Sequence, residues 1–396
     1  MSQTRVSHEE AQNRAPQLDG LRAIAVFAVL IEHSFHLIRT PWMLFSFSAP
    51  GPVGVRLFFV LSGFLITGIL LRARTEAENR GAGLTRVWMS FYVRRALRIF
   101  PLAYAAIAVA WLVGIPAARA HLAWYLTYTS NVLSAGINLH SPTQLAGSFD
   151  PSLGHFWSLA LEEQFYLVWP LLILMCPTRA LGGVMKATFL TAGLVRGLIA
   201  FRSPVASYVL LVSRADALAL GGLIALWLHQ GMPQQSVRRW LGVGGLIVAA
   251  ISVFLTGRPW VTGNEWAAIL LSGWLVLAAR NGFKGTVGRI LSSRTLVYLG
   301  TISYGVYVWH YMIPETFDLL AYRLHIEARW PAAPGLIQLA ALSAASVAAA
   351  SLSWWMFEKR LNDLKRYVPY VADRLTTVSD QHAPVTDLLA ADASRT

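Results

Sequence analysis

Two basic side chains, Arg22 and His33, lie eleven residues apart in a segment that is otherwise almost entirely apolar. A helix places residues at this spacing about three turns apart on nearly the same face, roughly 16 Å along its axis. Ionisable groups are expensive inside such a segment and by default indicate a functional site. Imidazole suits proton transfer near neutral pH, so His33 is the first catalytic candidate. The alternative is a structural histidine bonded to a neighbouring helix.

A second cluster of basic residues consists of Arg94, Arg95 and Arg98. Arg94 and Arg98 share a helix face because they are four residues apart, and Arg95 lies beside them. Guanidinium groups bind phosphate through paired hydrogen bonds, which makes the cluster a candidate anion clamp at the membrane's inner edge. The alternative is an ordinary positively charged membrane anchor. Pro101 follows the arginines and is expected to fix the start of the next helix.

Two adjacent carboxylates, Glu162 and Glu163, stand early in another apolar run, where packing does not explain them. Adjacent residues on a helix point about 100° apart, so the two are expected to serve different partners. Trp157 and Tyr166 flank them, and aromatic rings beside carboxylate acceptors suit hydroxyl-rich ligands. His310, at the end of a later apolar run, is expected to give a second polar contact.

Smaller polar signals have structural interpretations. The pair Ser62-Gly63 interrupts an apolar run and favours close packing of helices. No Gly-x-Ser-x-Gly motif surrounds Ser62, so it is interpreted as a packing residue and not as a nucleophile. Arg214 and Asp216 are interpreted as a structural ion pair within the membrane.

Composition restricts the class of protein that positions these side chains. Of 396 residues, 55% are hydrophobic and 13% are charged, whereas soluble domains carry roughly 25% charged residues. The single cysteine, Cys176, excludes an internal disulfide framework and a cysteine-based metal site. The net charge of +13 is compatible with nucleic-acid binding, but the charges lie between apolar runs, as membrane topology requires. The composition therefore predicts a membrane protein with no nucleic-acid partner.

Ten apolar runs are long enough to span a bilayer as helices of about 20 residues. They cover 21–39, 53–71, 99–116, 158–176, 180–200, 206–228, 240–257, 264–280, 295–313 and 332–356. The shorter run 122–133 is expected to be re-entrant or interfacial, so nine or eleven spans also fit the pattern. Most of the 33 Lys and Arg residues fall in segments on the side of the N-terminus, which places both termini in the cytoplasm.

The predicted fold is therefore an all-α, polytopic membrane bundle of about ten helices. We expect a cytoplasmic N-terminal segment over 1–20, a transmembrane domain over 21–357 and a polar cytoplasmic tail over 358–396 that is partly disordered. The first segment is polar and carries Glu9 and Glu10, which is not typical of a signal peptide.

Five sequence blocks, taken together, resemble the membrane-bound acyltransferase-3 family. In order they are Leu-Asp-Gly-Leu-Arg22 with His33, Phe-Phe-Val-Leu-Ser-Gly-Phe, Arg94-Arg-x-x-Arg98-Ile-x-Pro, Ser-Leu-Ala-Leu-Glu-Glu-Gln-Phe-Tyr and Ser-Tyr-Gly-Val-Tyr-x-Trp-His. The resemblance covers about residues 17–360. It implies a ten-helix O-acyltransferase of the bacterial cytoplasmic membrane. Such proteins transfer an acyl group, usually acetyl from acyl-CoA, to a carbohydrate hydroxyl in lipopolysaccharide O-antigen, exopolysaccharide, lipo-oligosaccharide signals or macrolide sugars.

The resemblance and the residues together predict roles for ten side chains. The catalytic group is His33 with Glu162 and Glu163; the donor-binding group is Arg22, Arg94, Arg95 and Arg98; the acceptor-binding group is Trp157, Tyr166 and His310. We expect acyl-CoA as a co-substrate, a glycan or glycoside acceptor, no resident cofactor and no metal. Direct transfer and an acyl-enzyme both stay open, as do the acceptor, the acyl length and the oligomeric state. The rival interpretations are a transporter of lipid-linked sugars or small anions, in which the buried charges are relay groups, and a sensor or scaffold.

Overall fold

The computed structural model describes residues 15–35, 41–45, 49–140, 152–254, 258–331 and 334–371. The regular structure of these residues is entirely helical, with no strand among them. The predicted all-α class is thus confirmed. Predictions that concern residues 1–14 and the tail after residue 371 fall outside the described residues.

The described residues form eighteen α-helices. The first nine are α1 (Pro16–Phe35), α2 (Pro50–Arg80), α3 (Leu84–Val113), α4 (Pro116–Ala120), α5 (Leu122–Leu126), α6 (Ser130–His140), α7 (Phe156–Met175), α8 (Thr178–Ile199) and α9 (Pro204–Val209). The next nine are α10 (Leu211–His229), α11 (Gln234–Phe254), α12 (Arg258–Asn281), α13 (Gly285–Leu291), α14 (Arg294–Thr301), α15 (Ser303–His310), α16 (Ile313–Arg323), α17 (Leu336–Ser353) and α18 (Lys359–Asp363). A π-helical turn, Trp354–Glu358, joins α17 to α18, and 3₁₀ turns cover Pro41–Phe45 and Leu364–Tyr367.

Seven helical stretches of the described residues are long and apolar enough to cross a membrane. They are Pro50–Arg80, Leu84–Val113, Phe156–Met175, Pro204–His229, Gln234–Phe254, Val261–Asn281 and Leu336–Tyr367. The other three predicted runs are also helical over most of their described residues: α1 and α8 lie in two of them, and α14 with α15 lies in the third. The chain is therefore a multi-pass membrane protein.

The structure corrects the expected helix boundaries in the basic region 72–98. Helix α2 continues to Arg80 and α3 begins at Leu84, so only three residues separate them. The first of these, Gly81, has a φ of 64° and ends α2 in the left-handed conformation. The prediction that Pro101 starts a helix is wrong, because Pro101 lies in the middle of α3. Apolar runs locate the lipid-facing part of a helix but not the basic turns beyond it.

Helices α2 and α10 pack closely through glycines. A Cβ on Gly63 would lie 2.0 Å from the carbonyl oxygen of Leu218, and one on Gly221 would lie 2.2 Å from that of Val60. Small residues allow such close backbone contact between membrane helices. The close packing predicted at Gly63 is confirmed.

Buried ion pairs connect four helices. Arg214 of α10 pairs with Glu265 of α12, and Glu265 also binds Arg56 of α2. Asp216 pairs instead with Arg196 of α8, at 2.6 Å. The predicted pairing of Arg214 with Asp216 is wrong, because residues two apart on a helix point to different sides. Each side chain finds its partner on another helix, so the pairs fix α2, α8, α10 and α12 together.

Candidate active site

A cavity of about 730 Å³ lies among α1, α2, α3, α7 and α15. Its wall contains seven of the ten side chains that the sequence singled out: Arg22, Arg94, Arg95, Arg98, Glu162, Glu163 and Tyr166. Residues from five helices that are far apart in the sequence thus share one space. The other three, His33, Trp157 and His310, lie outside that wall.

One part of the cavity wall is rich in cations, and we call this part of the bundle the basic end. Arg95 and Arg98 of α3 lie there with Arg72 of α2. The guanidinium carbon of Arg95 is 5.6 Å from the centre of the Tyr166 ring, a cation–π distance. Arg22 donates to Asp19, one turn earlier in α1, at 3.2 Å. The wall here suits an anionic group.

Arg94 has different contacts from its neighbours. Its Nη1 donates to the carbonyl oxygens of Lys365 and Val368, at 2.8 and 3.1 Å. Its guanidinium carbon lies 5.0 Å from the centre of the Tyr370 ring. Arg94 therefore binds the last described segment of the chain, although it also lines the cavity. The assignment of Arg94 to the donor stays a prediction.

The carboxylates lie in the wall contributed by α7. Glu162 accepts hydrogen bonds from Ser62 at 2.9 Å and from Tyr166 at 3.4 Å. Ser62, interpreted from the sequence as a packing residue, also lines the cavity, and its hydroxyl orients Glu162. Gln164, the next polar residue, points elsewhere and bonds with Asn131 of α6. Thus Glu162 and Glu163 belong to the cavity, whereas Gln164 connects helices.

Ser158 and Tyr307 form the boundary between the cavity and a cluster of histidines. Their hydroxyl oxygens are 2.6 Å apart, and both side chains line the cavity. Both hydroxyls also reach the backbone carbonyl oxygen of His155, at 3.1 Å from Ser158 and 3.2 Å from Tyr307. Two hydroxyl donors are therefore held at this boundary.

The histidine cluster consists of His33, His155 and His310, which three different helices or their connections bring together. His33 Nδ1 lies 2.9 Å from His310 Nε2, and the two rings are nearly parallel, at 6° with centroids 5.1 Å apart. The His155 ring meets His310 edge-on at 4.9 Å. Because His33 lies two residues from the end of α1, the cluster is far along that helix from the basic end.

The hydrogen bonds of the cluster fix the imidazole tautomers. His310 Nδ1 lies 2.6 Å from the carbonyl oxygen of Tyr307, so this nitrogen carries the proton and donates. His310 Nε2 is then the acceptor, and His33 Nδ1 must donate to it. This assignment leaves Nε2 of His33 as the unprotonated nitrogen, the form that acts as a general base.

The three predicted acceptor residues are not brought together. Trp157 is buried against Phe59 and Tyr208, with ring centroids 6.1 and 5.0 Å away. Tyr166 lies in the cavity beside Glu162, and His310 bonds to His33. Their assignment to the acceptor stays a prediction.

Sequence reasoning gave no role to several residues that the structure brings to the site. They are Arg72, His155, Ser158, Tyr307 and Lys365. Ser158 and Tyr307 stand in the motif blocks and His155 lies three residues before one of them, so their polarity in apolar runs was an available signal. Lys365 had none, since it lies among other charged residues near the end of the chain.

The sequence pattern of a family described as an acyltransferase domain matches residues 16–355. The chain belongs to the acyltransferase-3 family. The match covers α1 to α17 and therefore every helix of the cavity and of the histidine cluster. Membership of this family agrees with the five blocks found in the sequence.

Several O-acetyltransferases are similar to this acyltransferase-3 chain. The peptidoglycan O-acetyltransferase OatA of Listeria monocytogenes is 29% identical over 335 residues, covering 75% of this chain and 49% of the relative. The putative peptidoglycan O-acetyltransferase YrhL of Bacillus subtilis is 29% identical over 323 residues, covering 75% and 48%. A putative O-acetyltransferase of Staphylococcus aureus strain COL is 28% identical over 324 residues, covering 75% and 50%. The chain spans about half the length of the curated relatives it matches, and no solved structure matches it.

Proposed function

We propose that this protein transfers an acetyl group from acetyl-CoA to a hydroxyl of a carbohydrate. The observation that supports the proposal most is the arrangement along α1. Arg22, near the start of this helix, lies in the wall of the cation-lined cavity. His33, whose tautomer suits a general base, lies near the end of the same helix. A donor and an acceptor that approach from opposite ends of the bundle would meet between them.

The basic end is proposed to face the cytoplasm of a bacterial cell, with ten spans and both termini on that side. Lys and Arg concentrate in cytoplasmic segments of membrane proteins, and this end carries Arg72 of α2 with Arg95 and Arg98 of α3. Acetyl-CoA is a cytoplasmic metabolite with several phosphate charges. Arg95 and Arg98 would bind those phosphates, and the apolar wall of Phe58, Leu65 and Ile69 would take the pantetheine arm.

The proposed reaction is direct acyl transfer with His33 as general base. Nε2 of His33 accepts the proton of the acceptor hydroxyl while the hydroxyl oxygen attacks the thioester carbonyl carbon. The new carbon–oxygen bond forms and the carbon–sulfur bond breaks. The CoA thiolate leaves and takes the proton from the imidazolium, so the base is regenerated and nothing is oxidised or reduced.

The boundary residues and the carboxylates have supporting parts in this scheme. The hydrogen bond between Ser158 and Tyr307 must open to let the thioester reach His33. Once open, the two hydroxyls would donate to the thioester carbonyl and stabilise the negative charge that develops on it. Glu162 and Glu163 would accept hydrogen bonds from sugar hydroxyls or from the amides of the pantetheine arm.

Peptidoglycan is the acceptor that the names of two relatives give, and it is the first carbohydrate to test. The assay incubates purified protein in nanodiscs with radiolabelled acetyl-CoA and soluble peptidoglycan fragments, and follows both CoA release and labelled glycan. Wild-type protein should release CoA only when the glycan is present. A carrier for lipid-linked sugars would release none.

Replacement of the proposed base tests the mechanism. His33→Ala should lower the transfer rate by about 10²–10⁴-fold, the range for loss of a general base. The matched control is His229→Ala, because His229 is exposed at the end of α10, outside the cavity wall, and its ring bonds with Thr75 at 3.3 Å. Full transfer activity in His33→Ala would contradict the proposal.

A further inference from the structure

The last described segment of the chain, residues 359–371, lies beyond residue 355, where the family match ends. Hydrogen bonds nevertheless attach it to α3. Arg94 donates to two of its carbonyl oxygens, those of Lys365 and Val368. Ser90, one turn earlier in α3, donates to the carbonyl oxygen of Pro369 at 2.9 Å. The segment is therefore fixed to the helix that carries the arginines of the cavity.

Apolar contacts hold the same segment. Val371 is buried in a small core formed with Ala73 and Ala77 of α2 and Val87 of α3. Tyr370 packs against this core and also lines the cavity. The segment is held both by hydrogen bonds to its backbone carbonyls and by an apolar core. It therefore has a defined position, and its side chains can take part in a site.

Lys365 is the charged side chain that this segment adds to the cavity wall, where it joins Arg95 and Arg98. The side chain is half-buried, and its ammonium group donates to the Asn362 side chain. Three cations around one space repel one another, and this repulsion is stronger in a partly buried site than in water. A phosphate group among them would turn that repulsion into attraction.

We propose that Lys365 binds the phosphate groups of the ligand that enters the cavity, and that Arg94 is a positioning residue that holds the segment carrying Lys365. The naming of that ligand as CoA rests on the proposed function. The inference that the ligand carries phosphate does not rest on the proposed function, because it follows from the cations and the space they share. Lys365 supplies a point charge, and the guanidinium groups of Arg95 and Arg98 supply paired hydrogen bonds.

The test measures binding of CoA and of inorganic pyrophosphate to full-length protein in nanodiscs of zwitterionic lipid. Lys365→Met keeps the length of the side chain and removes its charge, and Lys365→Arg restores the charge. The matched control is Arg366→Met, because Arg366 is exposed, donates to the Tyr367 hydroxyl at 2.8 Å and does not line the cavity.

Lys365→Met should weaken binding of both probes by about tenfold, as expected for a lost charge-assisted hydrogen bond. Lys365→Arg should recover most of the affinity, and Arg366→Met should bind as wild type does.

A second variant separates positioning from direct contact. Arg94→Gln should both increase amide hydrogen exchange over residues 364–371 and weaken pyrophosphate binding, whereas Lys365→Met should weaken binding and leave exchange unchanged.

Equal affinity of Lys365→Met and wild type for pyrophosphate would overturn the proposal. So would a Lys365 effect confined to retention of anionic lipid in nanodiscs containing phosphatidylglycerol. Lys365-dependent binding of pyrophosphate by a protein that neither binds CoA nor transfers acetyl would refute the proposed function and support the phosphate site.

Discussion

At the scale of single residues, the backbone carbonyl of Tyr307 determines how His33 can act. The carbonyl fixes the proton of His310 on Nδ1, and His310 in turn fixes the proton of His33 on its own Nδ1. A neutral imidazole otherwise populates two tautomers, and only one of them presents Nε2 as a base. In the proposed mechanism His310 is thus a positioning residue, in the manner of the carboxylate that orients a catalytic histidine in hydrolytic triads.

Replacement of His310 tests this relay. His310→Ala removes the acceptor of the His33 Nδ1 proton, so we expect kcat to fall by about 10²–10³-fold with little change in KM for either substrate. His310→Gln can present its amide oxygen to His33 and should recover part of kcat. Steady-state kinetics with both substrates give these values. A higher KM for the carbohydrate at unchanged kcat would instead assign His310 to acceptor binding, as its motif first indicated.

The sequence identified the charged residues of the site better than their partners. Arg95, Arg98 and Glu162 were recognisable because charge is rare in apolar helices. The bond between His33 and His310 was not, because 277 residues separate the two side chains. Pairing over such a distance depends on how helices pack, which no local spacing encodes.

At the scale of elements, α2 and α10 position one side of the cavity through their close contact at Gly63 and Gly221. Gly63→Ala places a methyl group against the carbonyl oxygen of Leu218. Backbone cannot move aside as a side chain can, so we expect destabilisation of about 1–3 kcal/mol, as for an overpacked core. Thermal unfolding of the detergent-solubilised protein should show a lower midpoint.

The matched control is Gly183→Ala in α8, where a Cβ meets nothing within 4 Å. This change should raise stability slightly, because alanine favours the helix over glycine by roughly 0.5–1 kcal/mol. Equal unfolding midpoints for Gly63→Ala and Gly183→Ala would show that the α2–α10 contact is not tightly packed.

The apolar runs predicted where the helices lie, and the structure has helix at every one of the ten. The runs did not include the basic stretch around Arg94, which only the spacing of the arginines placed on a helix, since hydropathy ignores polar turns that extend from a membrane helix. They also missed the break at Leu210 between α9 and α10. Breaks of this kind depend on tertiary contacts, here the burial of every residue of α9.

At the scale of the whole molecule, the charged cavity and the histidine cluster meet at Ser158 and Tyr307. In the proposed function each substrate would have its own approach, and the bundle would separate the phosphate-bearing donor from the carbohydrate. The proposed function therefore requires that an acyl group pass from one side of the membrane to the other through that boundary.

Sidedness of the reaction in proteoliposomes tests this claim most directly. Protein of known orientation is reconstituted, radiolabelled acetyl-CoA is added only on the side of the basic end, and peptidoglycan fragments only on the opposite side. Labelled glycan is expected in this arrangement, and none when the two substrates are exchanged. Labelled glycan formed only when donor and acceptor share one side of the membrane would contradict it.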